Sequence, residues 1–319
     1  MPTAMTPDLI FGLLALSFFK LLSGAGLGSV LVAAVSETLG QTRKKAFLDK
    51  FALQASALGF KALTAGLAGS VCALGFLALK RPWSVQPLLE SRALLVLFAG
   101  WFLFIGLLAV YSLTWRSMKS SKTAHQGLGL FLAALALGLT GLALTSANKT
   151  LPLFSLIRLE QAPETAAMAT APSAAMTVAL SPDLLAPLAL TGLAWTICVA
   201  GGLGLLYLLH RREKDDFGRD YYFFALRTGA RWALGGLIPA LACGAWLILA
   251  LSEANRARIF ETLPLPLAAL AGLSLVCAGS WTAVAVSRTP LTLKWLLGLA
   301  GLALWLMQGL FLLVALALA

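Results

Sequence analysis

One stretch of the sequence occurs twice, first as Phe19-Lys20-Leu21-Leu22-Ser23-Gly24-Ala25-Gly26-Leu27-Gly28-Ser29-Val30 and again as Phe60-Lys61-Ala62-Leu63-Thr64-Ala65-Gly66-Leu67-Ala68-Gly69-Ser70-Val71. Both copies lie inside apolar runs that are long enough to cross a bilayer as helices. Each copy therefore places one lysine, Lys20 or Lys61, near the middle of a membrane. An ionisable side chain at that depth costs about 2.5 to 3.5 kcal/mol on insertion scales, so each lysine is a candidate functional residue.

The composition places the chain among integral membrane proteins. Of its 319 residues, 60% are hydrophobic and 12% are charged, and the mean hydropathy is +0.88. This apolar content is too high for a soluble domain of that length. The formal net charge of +11 does not indicate nucleic-acid binding, because the Lys and Arg residues lie mostly in short runs between apolar segments, where basic residues set membrane orientation.

Taking about 20 apolar residues as one crossing predicts a bundle of about eight transmembrane helices, all-α, forming a single domain over residues 1–319. The predicted spans are 9–33, 52–78, 93–115, 127–146, 185–209, 230–252, 264–287 and 295–317. The connections after spans 1, 3, 5 and 7 carry 15 basic residues, against 7 after spans 2, 4 and 6. The positive-inside rule then puts the first set in the cytoplasm and both termini outside it.

Two connections are longer than simple turns. The segment 147–183 is rich in small residues and proline, which favours an irregular loop on the non-cytoplasmic side, either a tether or a surface ordered by a partner. The segment 211–229 is basic and cytoplasmic. Its arginines alternate with aromatic residues, which suits an interfacial helix that anchors the chain or docks a cytoplasmic subunit.

The duplicated stretch also carries small residues that let helix backbones approach closely. These are Gly24, Gly28, Gly66 and Gly69. If the first two spans pack together as antiparallel neighbours, Lys20 and Lys61 lie at comparable depth, with Lys61 about one turn nearer the cytoplasm. Every Asp and Glu lies at a predicted span end or in a loop, so we expect a carbonyl, water, ligand or other subunit to compensate the lysines. Chance similarity with snorkelling amines remains the alternative.

The remaining candidates are two histidines and a tryptophan. His125 and His210 fall at the cytoplasmic ends of predicted spans 4 and 5, where ordinary interfacial histidines are the favoured interpretation and haem ligation or a role in a quinone site are the alternatives. Trp101 is one of five deep tryptophans that pack in the core or line a pocket for a flat ring. No haem, other metal or covalently bound cofactor is expected, and no catalytic motif is present.

The chain resembles the haem-free membrane anchors of molybdopterin oxidoreductase complexes, of the dimethyl sulfoxide reductase and polysulfide reductase anchor type. The resemblance is carried by the eight-span plan, the glycine-rich opening helix 18–28 and the turn Lys80-Arg81-Pro82. It implies a bacterial-type inner (cytoplasmic) membrane protein of the respiratory chain that binds menaquinone or ubiquinone between its helices. It also implies an iron-sulfur or cytochrome subunit as partner, with the anchor itself a non-catalytic subunit of an oxidoreductase.

Under that resemblance, Lys20 or Lys61 hydrogen-bonds a quinone carbonyl and His125 or His210 carries protons to the cytoplasmic side. Two other classes of function stay open from the residues alone. One is a permease for a small anion, attracted by the lysine pair, and the other is a scaffold subunit with no ligand of its own.

Overall fold

The computed structural model describes residues 7–80, 92–115, 122–150, 182–251 and 253–318, and these residues are helical with short turns and no strand. The helices, in chain order, are α1 (Pro7–Thr42), α2 (Ala46–Lys80), α3 (Arg92–Leu113), α4 (Lys122–Thr150), α5 (Pro182–Arg212), α6 (Arg219–Ala250), α7 (Glu253–Thr262), α8 (Pro264–Val286) and α9 (Lys294–Leu318), with a short 3₁₀ turn at Pro290–Leu293. Each predicted span overlaps one of these helices over most of its length.

Six helices are long and apolar enough to cross a membrane, namely α1, α2, α5, α6, α8 and α9. Helix α3 carries a shorter apolar segment, 98–113, and α4 is not among the six. The all-helical membrane-protein class is thus confirmed. The long loop predicted at 147–183 lies mostly outside the described residues, although its first residues continue α4 to Thr150.

The largest differences between predicted and observed boundaries lie at the end of α1 and at the start of α6. Helix α1 continues to Thr42, beyond the predicted end of span 1 at residue 33, and it carries Glu37 into the protein interior. Helix α6 begins at Arg219, inside the segment predicted as a basic cytoplasmic loop. The helix begins there because Tyr221 and Tyr222 are buried against the bundle, with hydroxyl groups that reach polar partners.

The helices form two similar units in tandem. Helix α2 begins at Ala46 and α6 at Arg219, a spacing of 173 residues, and the same spacing separates the ends of α3 and α8 at Leu113 and Val286. In both units the first helix packs on the second and the fourth, and the third packs on the second and the fourth.

Buried positions follow the same spacing. Three buried residues of α3 have buried counterparts in α8 after 173 residues: Phe104, Leu108 and Tyr111 correspond to Cys277, Trp281 and Val284. Three of α4 have buried counterparts in α9 after 172 residues: His125, Leu132 and Ala136 correspond to Leu297, Leu304 and Gln308. The two units therefore use the same helix faces for their cores, although the side chains differ.

The units meet mainly where α1 packs on α5. At Gly28 the backbones come so close that a Cβ atom would collide with the carbonyl group of Thr196. Gly66 lies against Ser23 and Gly69 against the ring of Phe19, which sets α1 and α2 in an antiparallel register. Small residues thus bring the helices together, as is typical where lipid provides no hydrophobic drive for association.

Candidate functional site

Lys61 lies in the seam between the two units. It stands 15 residues after the start of α2, about 22 Å along the helix, which places it well inside the apolar span. Its Nζ donates a hydrogen bond of 3.4 Å to the hydroxyl of Tyr207 on α5 and lies 5.2 Å from the centre of that ring. Within the described residues no carboxylate lies within salt-bridge distance of Lys61, so a phenol is the partner of this exposed amine.

A small cavity adjoins this pair between α1, α2, α5 and α6. Its volume is about 20 Å³, which is room for one water molecule. Its polar lining comes from Ser29, Gln54 and Tyr207, and its walls include Leu58, one turn before Lys61 on α2. Tyr207 therefore belongs both to the cavity wall and to the lysine contact, so the two features form one cleft.

The cavity exists because its walls carry small residues. The helices around it contribute three glycines and two alanines at the lining positions: Gly201, Gly204, Gly229, Ala55 and Ala200. A Cβ at Gly204 would meet only the far end of Leu58, 3.8 Å away. The cleft is thus bounded on one side by a flexible aliphatic side chain.

One end of the cavity is closed by a hydrogen-bonded network around Gln54. The Gln54 amide nitrogen donates to Asp215 at 2.8 Å and to the Tyr222 hydroxyl at 3.3 Å, and its carbonyl oxygen accepts from Tyr221 at 2.6 Å. Arg211 forms an ion pair with Asp215. Gln54 is therefore the point where α2 is fixed to the turn between α5 and α6.

A second polar cluster lies in the first unit, around Glu37. The Glu37 carboxylate accepts a 2.6 Å hydrogen bond from the Tyr111 hydroxyl and lies 2.7 Å from His125 Nδ1. The other ring nitrogen of His125 lies 3.0 Å from the backbone carbonyl of Tyr111. All three side chains are buried, with Glu37 3% and His125 4% exposed. This cluster ties α1 to α3 and α4.

His125 lies two residues before predicted span 4, in the first turn of α4. Burial lowers its pKa, but the hydrogen bonds to Glu37 and to the Tyr111 carbonyl outweigh that effect, so the pKa lies above the ordinary value for histidine. The rings of Tyr111 and Trp115 pack on it, at 4.5 and 4.7 Å between ring centres. With both ring nitrogens engaged, His125 offers no free nitrogen to a haem iron or a quinone.

The other predicted site residues do not join either cluster. The register of α1 and α2 sets Lys20 level with residues 68–69 of α2, so it lies seven to eight residues, or about 11 Å, from the level of Lys61. Lys20 is exposed, and so is His210 at the end of α5. Trp101 is half-buried, with its ring edge-on to Phe104 in the core of the first unit.

Three of the four glycines that were predicted to pack helices lie at close helix contacts, and the fourth does not. Gly28, Gly66 and Gly69 each lie where a Cβ would collide with a neighbouring helix. Gly24 differs, because a Cβ there would meet no atom within 4 Å. The register of α1 and α2 separates Lys20 from Lys61 by about two helical turns, one turn more than the sequence predicts for packed neighbours.

The central polar residues of these sites were not predicted, namely Glu37, Gln54, Tyr111 and Tyr207. Glu37 and Gln54 lie near predicted span ends, where polar residues are ordinary, so hydropathy gave no signal for them. A signal was nevertheless present in Tyr207 and Tyr111, which stand inside apolar runs and must find a partner for their hydroxyl groups when buried.

Comparison of this chain with protein-family models, curated proteins and solved structures gives no match. Among the described residues no group of three or more His, Cys, Asp and Glu side chains is arranged to hold a metal ion.

Proposed function

We propose that the protein is the membrane anchor subunit of a respiratory electron-transfer complex in a bacterial-type inner membrane, and that it binds quinone in the cleft between α2 and α5. The observation that carries the proposal is Lys61, an amine within the apolar span of α2 whose partner is the phenol of Tyr207, which also lines a small and mostly apolar cavity. A lysine costs several kcal/mol at this depth. A ligand that accepts hydrogen bonds would offset part of that cost.

A quinone suits this cleft chemically. Its two carbonyl oxygens are acceptors, and Lys61 and Tyr207 are donors on one wall. Its flat ring is apolar, as is Leu58, and its isoprenoid tail stays in the lipid toward which Lys61 is exposed. The cavity of about 20 Å³ admits only the carbonyl end, so the ring enters where the flexible side chains of Leu58 and Lys61 move aside.

In this proposal α3 and α4 complete a bundle of eight spans with both termini outside the cytoplasm. Their lengths of 22 and 29 residues correspond to about 33 and 44 Å, enough to cross the hydrocarbon core. The partner is an iron-sulfur or cytochrome subunit, which takes the electrons of the quinol, because the chain shows no catalytic motif of its own.

The test is binding of a soluble quinone analogue to the purified protein, measured by the quenching of tryptophan fluorescence. We expect Lys61→Met and Tyr207→Phe to weaken binding about 10-fold or more, as for loss of a charge-assisted hydrogen bond. Lys20→Met is the matched control, because it removes the other membrane lysine and leaves the cleft intact. Equal affinity of all three variants and the parent would contradict the quinone site.

Partners are tested separately by identifying the chains that co-purify from the native membrane. An anchor subunit is expected to bring redox subunits with it, whereas isolation as a lone chain contradicts the anchor. Uptake of small anions into vesicles that contain this chain alone would favour the permease instead.

A scaffold without ligand is the second candidate, and the close packing of the units favours it. The contact at Gly28 and the Gln54 network hold the two units rigidly together. Under that function, variants at Gly28 abolish assembly of the complex while Lys61→Met leaves both assembly and quinol oxidation unchanged.

A further inference from the structure

In the cluster of Glu37, Tyr111 and His125, the hydrogen-bond geometry determines how many protons the His125 ring and the Glu37 carboxyl group hold. A backbone carbonyl only accepts hydrogen bonds, so the 3.0 Å contact between the Tyr111 carbonyl and His125 Nε2 requires a proton on Nε2. The opposite contact, 2.7 Å between His125 Nδ1 and Glu37 Oε1, is also of hydrogen-bond length and must contain a proton of its own. The pair therefore holds two protons, one on Nε2 and one between the two residues.

The position of the second proton does not change the net charge of the pair. With the proton on Nδ1, the pair is an imidazolium and a carboxylate, and with the proton on Oε1 it is a neutral imidazole and a carboxylic acid. Both arrangements are neutral overall. Removing this proton would leave a buried carboxylate facing the lone pair of a neutral imidazole, which is repulsive at 2.7 Å and uncompensated in charge.

We infer that Glu37 and His125 together form a buried proton-binding site, which holds one shared, exchangeable proton at the end of the first unit near the α1–α2 turn. The Tyr111 hydroxyl and the Gln41 amide donate to the same carboxylate, at 2.6 and 3.4 Å, and so stabilise negative charge on it. The inference is independent of quinone binding, because no residue of this cluster lines the cleft at Lys61.

The surrounding charges set how firmly the proton is held. Helix α2 contributes Asp49, which interacts electrostatically with Glu37 and with Lys122 at the start of α4. One carboxylate oxygen of Asp49 is buried and has no hydrogen-bond partner within the described structure. A second acidic group beside the pair favours retention of the proton, whereas exposed Lys122 opposes it. Helix α3 contributes the Tyr111 phenol to this environment.

The chain offers a built-in control, because His125 and His210 are its only histidines. We would label histidine with ¹⁵N and record ring-nitrogen chemical shifts against pH in detergent micelles. His210 is exposed at the end of α5, so its ring signals serve as the reference for a histidine outside the cluster. His125 is expected to keep a proton in the Nδ1–Glu37 contact above the pH at which an isolated imidazole becomes neutral, because its hydrogen bonds to Glu37 and to the Tyr111 carbonyl raise its pKa.

Glu37→Gln separates proton binding from simple packing. The glutamine amide still donates to Nδ1 and fills the same volume, but it carries no acid proton, so His125 should become a neutral imidazole with an unprotonated Nδ1 at neutral pH. Infrared spectroscopy of the parent distinguishes the two proton positions, and either one supports the inference. An unprotonated His125 Nδ1 at neutral pH in the parent protein would overturn it.

Discussion

The two four-helix units share a backbone plan but differ in the chemistry of their cores. In the first unit the buried positions at the α3–α4 contact hold Tyr111 and His125, which bind Glu37. In the second unit the counterparts of Tyr111 and His125 are Val284 and Leu297, which pack in an apolar core. The same fold thus supports either a polar cluster or an aliphatic one. The first unit's cluster is therefore not required by the architecture, and this argues that it has a function.

Among the variants that test this difference between the units, we expect the largest loss of stability from replacement of Glu37. Glu37→Ala removes the acceptor of two buried donors and leaves His125 without its partner. Loss of one member of a buried ion pair destabilises by about 3 to 5 kcal/mol, so we expect a large fall in the thermal unfolding midpoint in detergent. The midpoint is measured by intrinsic fluorescence together with size-exclusion chromatography.

A triple variant then converts the first unit toward the second. Glu37→Leu, Tyr111→Phe and His125→Leu together remove every polar group of the cluster, and we expect most of the stability lost in Glu37→Ala to return. A triple variant as unstable as the single one would mean that the polar cluster is needed for the fold of the first unit itself.

The contact between the units is the next target. Gly28→Leu would drive a side chain into the backbone of Thr196, which cannot move without shifting α5, and we expect a loss of about 3 kcal/mol. Gly24→Leu is the matched control, one turn away on the same helix with open space at the Cβ position. Similar melting curves for the two variants would show that α1 and α5 tolerate separation.

Sequence alone predicts the helices of this molecule well and its polar sites poorly. The length and hydropathy of an apolar run are properties of residues that are adjacent in the chain, so they can be read without knowing the tertiary packing. Each predicted span accordingly overlaps a helix. The partners of Glu37 lie 74 and 88 residues away in the chain, and those of Gln54 lie more than 160 away. Such pairings are set by tertiary packing, which no local pattern contains.

Lys20 and Lys61 show, within one helix pair, that similar local sequence does not predict tertiary contacts. Their flanking sequences follow one pattern, yet Lys61 contacts Tyr207 of the second unit and Lys20 is exposed without a partner in the described structure. The repeated sequence pattern marks both lysines as candidate functional residues. It did not reveal which helix face meets the other unit.

A variant at Gln54 tests how firmly the first unit is fixed to the α5–α6 turn of the second. Gln54→Leu leaves the buried Tyr221 hydroxyl without its acceptor, and we expect a loss of about 2 kcal/mol in the free energy of unfolding. Tyr221→Phe in the same background removes the unpaired hydroxyl and should restore part of that loss. If Gln54→Leu alone is neutral, the network contributes nothing to joining the units, and the thermal midpoint is sufficient to show this.

The smallest expected effect concerns the turns that join the first two helices of each unit. The second unit has Gly218 at a φ of 84°, whereas the first has Lys44 at a φ of 51°, in a helix end closed by the hydrogen bonds Lys45 N–H to Gly40 O and Lys44 N–H to Gln41 O. A left-handed conformation is unfavourable for residues with a Cβ and natural for glycine. We therefore expect Lys44→Gly to raise the free energy of unfolding by about 0.5 to 1 kcal/mol.

Lys45→Gly is the control, because Lys45 does not have a positive φ and its replacement should bring no gain. A rise in the unfolding midpoint with Lys45→Gly but not with Lys44→Gly would show that the first unit's turn is relaxed as it stands, and that the two turns differ in sequence without differing in strain.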